Sequence, residues 1–225
     1  MRKTLLIAHR GASFYEPENT LRAIERALRF GVDGVEIDVR SSVDGNIVVI
    51  HDETVDRTTN GTGKVANMSL LELRSLDAGR GERIPLLSEV LETVGNRAML
   101  VIELKVPGIE ERVIKTLEKY GALDSVTVTS FLHRSVKRVK EINPGVRTGV
   151  IFSSSPVNPS RLALDADADT LFARHKYVTP EMVRNAHKNG LDIYAWTVDD
   201  AKTVEKLILM GVDGIVTNKP DVLKK

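Results

Sequence analysis

The chain has 225 residues, 42% of them hydrophobic, enough for one large domain with a substantial core, and its 32 basic and 31 acidic residues leave a formal net charge of +1. Charges so evenly mixed provide no global field for holding nucleic acid or an anionic membrane, so any anion binding has to be local. Cysteine is absent, which excludes disulfides, thiolate nucleophiles and zinc–thiolate centres and agrees with a reducing cytoplasm.

Met1-Arg2-Lys3 is basic, but the apolar stretch from Leu5 to Ala8 stops at His9, too short for a signal segment or a membrane span. A cytoplasmic protein without a membrane anchor is expected. Strands are predicted over 5–9 and 34–39, separated by a helix whose apolar face is Leu21, Ile24, Ala27 and Leu28. A further apolar run over 47–50 follows the second strand after only seven residues, whereas a parallel crossover needs about a dozen or more. It therefore turns back antiparallel, with Asp44-Gly45 as the turn, and carries His51 toward the same end of the sheet. Residues 52–86 read as an insertion: Asn60-Gly61-Thr62-Gly63 is a turn, and Ser69-Leu70-Leu71-Glu72 has capping-box spacing for a short helix. Hairpin and helix together, over 40–86, are expected to form a small lid within one domain spanning 1–225.

Strands are predicted next over 100–105, 126–131, 147–152, 169–173, 192–197 and 213–217. Helix faces such as Val136, Val139, Ile142 and Val204, Leu207, Ile208 lie between them. Phe30-Gly31-Val32-Asp33-Gly34-Val35 recurs as Met210-Gly211-Val212-Asp213-Gly214-Ile215, each time between a helix and a strand, with Gly31 and Gly211 suited to the left-handed residue that ends a helix. Eight strands alternating with helices predict a TIM (β/α)8 barrel with a small insertion after the second barrel strand.

A closed parallel barrel gathers the C-terminal ends of its strands at one mouth, and the chemistry-bearing residues sit at those ends. Glu36 and Asp38 are two apart in one strand, so both carboxylates face the same side, and Glu103 ends the next barrel strand. Three oxygen ligands suit one hard cation, Mg²⁺ or Ca²⁺; solvated strand ends or ion-pair partners are the plainer alternative. His9 and His51 end the first strand and the hairpin strand, and two imidazoles can divide the labour of general base and general acid. Arg10 and Lys105 supply positive charge beside the acids, either for a phosphate or simply as charge compensation. Phe131 and Trp196 either pack against an apolar or glycerol portion of a substrate or belong to the core. His133 and His187 read as surface residues, while His175 borders the mouth. No H-E-x-x-H or G-x-S-x-G occurs, Gly61-x-Gly63 lacks the lysine of a phosphate-binding loop, and Arg134, Lys137, Arg138 and Lys140 read as a solvated helix face.

Taken in order, His9-Arg10-Gly11, Pro17-Glu18-Asn19-Thr20, residues 34–39, Val48 to Asp52, Arg57-Thr58-Thr59, Glu103-Leu104-Lys105, Ser130-Phe131 and Trp196-Thr197 resemble the glycerophosphodiester phosphodiesterase family. The resemblance implies a TIM barrel, a divalent cation, and hydrolysis of a small glycerophosphodiester to glycerol 3-phosphate and an alcohol, with His9 as base and His51 as acid. Either water or the glycerol 2-hydroxyl serves as nucleophile in such a scheme, the latter by way of a cyclic phosphate. One departure stands out: where such proteins often read T-D-x-P, this chain has Thr217-Asn218-Lys219-Pro220. A lysophospholipase D or a cyclising phospholipase-like lyase would share the polar site but need an apolar channel, for which Met68, Leu70, Leu71, Leu73 and Leu76 of the insertion are candidates. A non-catalytic phosphate-binding barrel is the third reading, and a monomer and a homo-oligomer are equally compatible with the sequence.

Overall fold

The structure is a computed structural model that describes residues 3–222; Met1 and Arg2 of the basic N-terminus lie outside the described residues. Eight parallel strands close into a barrel: β1 (Leu5–His9), β2 (Gly34–Ser41), β4 (Met99–Leu104), β5 (Val126–Ser130), β6 (Arg147–Phe152), β7 (Thr170–Arg174), β8 (Asp192–Trp196) and β9 (Gly214–Thr217). Closure is made by β1, which pairs with β9 on one side and β2 on the other. The remaining strand, β3 (Ile47–Val49), runs antiparallel to β2 as its short connection requires.

Helices α1 (Leu21–Arg29), α3 (Leu87–Val94), α4 (Glu110–Lys119), α5 (His133–Ile142), α6 (Pro159–Leu164), α7 (Pro180–Lys188) and α8 (Ala201–Met210) connect successive barrel strands. Their starts follow local chemistry: Thr20, Thr179 and Asp200 accept hydrogen bonds from the backbone N–H groups of Ala23, Met182 and Thr203. Gly211 closes α8 at φ 88°, the left-handed conformation expected of it. Outward strand residues such as Val35, Ile37 and Val39 pack beneath the helices with Ile24, Leu91 and Val113, and burial of such side chains is the main stabilising term of the fold.

Inside the barrel, Ile7, Val101, Ile151, Phe172, Tyr194 and Val216 form a separate apolar layer. Two large rings fit there because their neighbours are small. A Cβ on Gly149 would lie 2.6 Å from the Phe172 ring, and one on Gly214 would lie 2.8 Å from the Tyr194 ring. The rings themselves meet edge to face, 4.9 Å between centroids.

The insertion has its own centre. Helix α2 (Leu70–Ser75) begins with a complete Ser69–Glu72 capping box, as its sequence predicts. Val48, Ile50, Val55, Val65, Leu73, Ala78 and Ile84 cluster together, with Met68, Leu70 and Leu76 packed against them. Leu71 alone of the α2 leucines points outward, 82% exposed.

The barrel interior generates a stability prediction. Gly149→Ala should lower stability by about 1–3 kcal/mol through overpacking against Phe172, seen as a drop in thermal unfolding midpoint; an unchanged midpoint would contradict this packing.

Candidate active site

Strand register brings the acids together. His9 stands beside Glu36 across β1 and β2, and Asp38 stands beside Glu103 across β2 and β4. Because side chains alternate along a strand, Glu36, Asp38 and Glu103 all turn into the barrel. They are 5%, 0% and 8% exposed, and one oxygen from each lies within 4.8 Å of the others. The loop after β1 bends sharply over them, with Arg10 at φ 56° and Gly11 at φ 76°. A Cβ on Gly11 would lie 2.6 Å from the Ala23 backbone, so only glycine lets this loop lie against α1 while the Arg10 N–H reaches Glu36 Oε2 at 3.0 Å.

Two cations face the three acids. Arg10 Nε lies 3.1 Å and Lys105 Nζ 3.4 Å from Asp38, and Lys105 also bonds Glu103 at 2.5 Å. Buried Asn19 completes the cradle: its Nδ2 donates to Asp38 Oδ2 at 2.8 Å, and its Oδ1 accepts the Asp38 N–H at 3.2 Å. Burial pushes Asp38 up, but Arg10 and Lys105 outweigh it and hold this carboxyl below its ordinary range. The other two go the opposite way. Burial, then the negative charge of Asp38, pushes Glu103 up to about 7, and burial with the charges of Asp38 and Glu103 pushes Glu36 well above the usual carboxylate range. Asp38 Oδ1 accepts no hydrogen bond although it is fully buried. A buried, all-oxygen donor set with an unsatisfied oxygen and excess negative charge is chemically suited to a hard divalent cation.

Each histidine is tied at Nδ1. His9 Nδ1 lies 2.7 Å from Asn218 Oδ1, and burial followed by the neighbouring Arg10 charge pushes this imidazole down to about 4. It is therefore neutral at pH 7, and its 3.9 Å approach to Glu36 is not an ion pair there. His51 Nδ1 lies 2.5 Å from Asp52 Oδ1. Arg57 holds Asp52 from behind at 2.6 and 3.0 Å, keeping that carboxyl well below its usual range, and also grips both oxygens of Glu18. Glu18 in turn bonds Arg10 at 2.8 Å, so alternating charges run from His51 back to Asp38. Burial lowers His51 as well, against the opposing pull of Asp38 and Asp52.

Both imidazoles line a cavity of about 290 Å³ together with Arg10, Glu36, Glu103 and Lys105, while Phe131, Trp196, Ile151 and Phe172 form its apolar side. Phe131 and Trp196 meet edge to face at 5.5 Å, the indole N–H donates to the Phe172 carbonyl at 3.0 Å, and Lys105 Nζ stands 6.0 Å from the Phe131 ring centre. Of the nine residues singled out from the sequence, only Asp38 does not line the cavity; it lies behind the others.

The glycerophosphoryl diester phosphodiesterase family model matches residues 9–222. The chain belongs to that family. It is 44% identical to a glycerophosphodiester phosphodiesterase of Caldanaerobacter subterraneus, over 98% of this chain and 96% of the relative, and 32% identical to one of Bacillus subtilis, over 99% and 86%. Among solved structures, a glycerophosphodiester phosphodiesterase from Agrobacterium tumefaciens superposes with TM-score 0.88 at 33% identity, covering 98% of each chain. An Oleispira antarctica phosphodiesterase in complex with the product sn-glycerol-3-phosphate superposes with TM-score 0.92 at 30% identity, covering 97% of this chain and 95% of that one.

Several residues in this family member's site were not singled out from the sequence. Glu18, Asn19, Asp52 and Arg57 entered only as members of the ordered set, without roles, and Asp199 did not enter at all. None of the other three histidines lines the cavity, although His175 contacts Trp196 at its edge. His187 bonds Asp213 at 2.8 Å and His175 Nδ1 lies 3.3 Å from the Trp196 carbonyl. His133 corrects the expectation of a surface residue: it is half-buried, and its Nε2 lies 3.0 Å from the Ile151 carbonyl, anchoring the start of α5.

The raised Glu103 carboxyl has a measurable signature. Between its unfolded value near 4.5 and its folded value of about 7, the folded state holds the extra proton, so Glu103's contribution is fully present below about 4.5 and lost as pH rises through 7. In chelator-treated protein, Glu103→Gln should gain roughly 6–12 °C in unfolding midpoint on wild type between pH 4.5 and 8. A gap that stays constant with pH would contradict the assignment.

Proposed function

We propose that this chain hydrolyses small glycerophosphodiesters to glycerol 3-phosphate and an alcohol, using His9 as general base, His51 as general acid, and Glu36, Asp38 and Glu103 as ligands of one Mg²⁺ or Ca²⁺. The observation that carries the reading is the convergence of two imidazoles, each tied at Nδ1, and the Glu36 and Glu103 carboxylates on one cavity, with Asp38 completing the buried acid cluster behind them. Family membership and likeness to a phosphodiesterase crystallised with sn-glycerol-3-phosphate support the same substrate class.

When bound, the cation would supply positive charge to a non-bridging phosphate oxygen. The chain's own residues divide the remaining work. His9, buried and neutral, accepts the proton of the nucleophile. His51 has an ionised carboxylate behind it, which stabilises the imidazolium that donates to the departing alkoxide. Arg10 and Lys105, at the cavity wall, add charge stabilisation as the phosphorus centre becomes more anionic. Phe131 and Trp196 offer the apolar side against which the carbon skeleton of the glycerol rests.

Residues 40–86 are read as a hairpin and small lid within a single domain, the hairpin presenting His51 and the rest covering one flank of the mouth. This bears on the neighbouring reading of a lysophospholipase D or cyclising lyase. Of the five candidates for an apolar channel, Met68, Leu70, Leu73 and Leu76 are engaged in the insertion's own core, which leaves Leu71 as the one that points outward. Within this reading the enzyme is cytoplasmic; among the described residues no helix is long and apolar enough to cross a membrane.

Release of glycerol 3-phosphate from glycerophosphocholine tests the proposal. His9→Ala and His51→Ala should each lower kcat by about 10²–10⁴-fold while the protein still binds the cation. Chelation should abolish activity and Mg²⁺ or Ca²⁺ restore it, and lysophosphatidylcholine should be a poor substrate. Full activity in both histidine variants would sink the catalytic assignment.

A further inference from the structure

We infer that Asp199 and Asn218 act as a positioning pair that fixes which nitrogen of His9 carries the proton, keeping Nε2 unprotonated on the side of the cavity. The inference rests on the reading of His9 as general base and adds two residues that do not line the cavity. They stand on neighbouring strand ends: Asp199 follows β8, Asn218 follows β9, and His9 ends β1, which is the order of these strands in the barrel.

A side-chain amide has two unlike ends, an oxygen that only accepts and a nitrogen that only donates, whereas a carboxylate only accepts. Asp199 Oδ1 receives the Asn218 backbone N–H at 2.8 Å and the Thr217 hydroxyl at 3.0 Å, which fixes the carboxylate in place. Its Oδ2 then receives Asn218 Nδ2 at 2.6 Å. Turning the amide over would set oxygen against oxygen at that distance, so Asn218 has one orientation. Its Oδ1 therefore points the other way, 2.7 Å from His9 Nδ1, with the Ser13 hydroxyl 2.9 Å from the same oxygen.

An imidazole nitrogen facing an amide oxygen has to donate. The proton of neutral His9 is thus held on Nδ1 and the lone pair stands on Nε2, the nitrogen nearer Glu36 Oε2, at 3.9 Å. A base in the opposite tautomer would present N–H where a lone pair is needed. The departure from T-D-x-P at Asn218 acquires a reason here: an aspartate at 218 would meet Asp199 carboxylate to carboxylate, while asparagine supplies the N–H between them.

The test exchanges the two groups without changing their shape. In Asp199→Asn a second amide nitrogen opposes that of Asn218, so Asn218 turns over and offers N–H to His9 Nδ1, forcing the proton to Nε2. Its kcat should fall by about 10²–10⁴-fold with KM within roughly threefold, as for a general base in the wrong tautomer. Imidazole ¹⁵N NMR of the full chain, with the His9 signal assigned by its loss in His9→Ala, should report Nδ1–H in wild type and Nε2–H in Asp199→Asn. The double variant Asp199→Asn with Asn218→Asp reverses the pair, placing a donor at 199 and an acceptor at 218 that faces His9; it should regain Nδ1–H and at least about tenfold of the lost kcat. The inference is overturned by an Nε2–H tautomer in wild type, a measurement that needs no variant to fold. An Asp199→Asn variant whose His9 stays Nδ1–H, whatever its activity, overturns it too, as does a double variant no better than the single. Full activity in His9→Ala would instead remove the base assignment while leaving the wild-type tautomer as measured, so the two failures are told apart.

Discussion

Glu36, Asp38 and Glu103 crowd three acidic groups into a space from which water is largely excluded, and Arg10 and Lys105 set only two positive charges against them. Isolated charges are costly to bury, so such a cluster persists only if some members are neutralised or compensated. Asp38, pressed between both cations and doubly bonded to Asn19, is held below the ordinary carboxylate range, while Glu36 and Glu103 are pushed above it. A divalent cation would relieve the repulsion among the three carboxylates and favour their ionised forms, which is why the site and its proposed cofactor are chemically matched.

Around this cluster the loops are organised as two hydrogen-bonded systems, one behind each imidazole. On the β1 side the partner of His9 is a neutral amide with a carboxylate behind it; on the hairpin side the partner of His51 is a carboxylate with a guanidinium behind it. The difference has chemical meaning. A neutral acceptor orients a ring without stabilising positive charge on it, while an ionised one does both. Glu18 ties the second system to Arg10, so the proposed acid and the charged cluster share one framework.

Much of the architecture was legible in the chain because its signals are local. The apolar runs match the observed strands to within a residue or two at most ends, since a strand buried on both faces leaves a near-continuous record of Val, Ile and Leu. The antiparallel course of β3 followed from the shortness of its connection, and the α2 cap from Ser69 and Glu72 alone. Glu36, Asp38, Glu103, His9 and His51 were legible because period-two alternation and strand-end placement convert sequence spacing into direction. Asn19, Asp199 and Asn218 were not, because their meaning lies in contacts between segments 19 to 209 residues apart, and a loop asparagine carries no local mark of the partner it will meet. His133 was misjudged for the same reason: the carbonyl it meets belongs to β6, the strand after its own helix.

The insertion folds around its own apolar centre and joins β2 along an antiparallel seam of three residue pairs, from Val39 with Val49 to Ser41 with Ile47. His51 lies two residues beyond that seam, so its distance from the carboxylates is set by the hairpin and not by the segment that follows. Arg57 holds Asp52 behind the ring, so the stretch beyond Arg57 is the part of the insertion whose length and sequence bear least on His51. The fold thereby separates a region that can diversify from the strand ends that hold the buried acids.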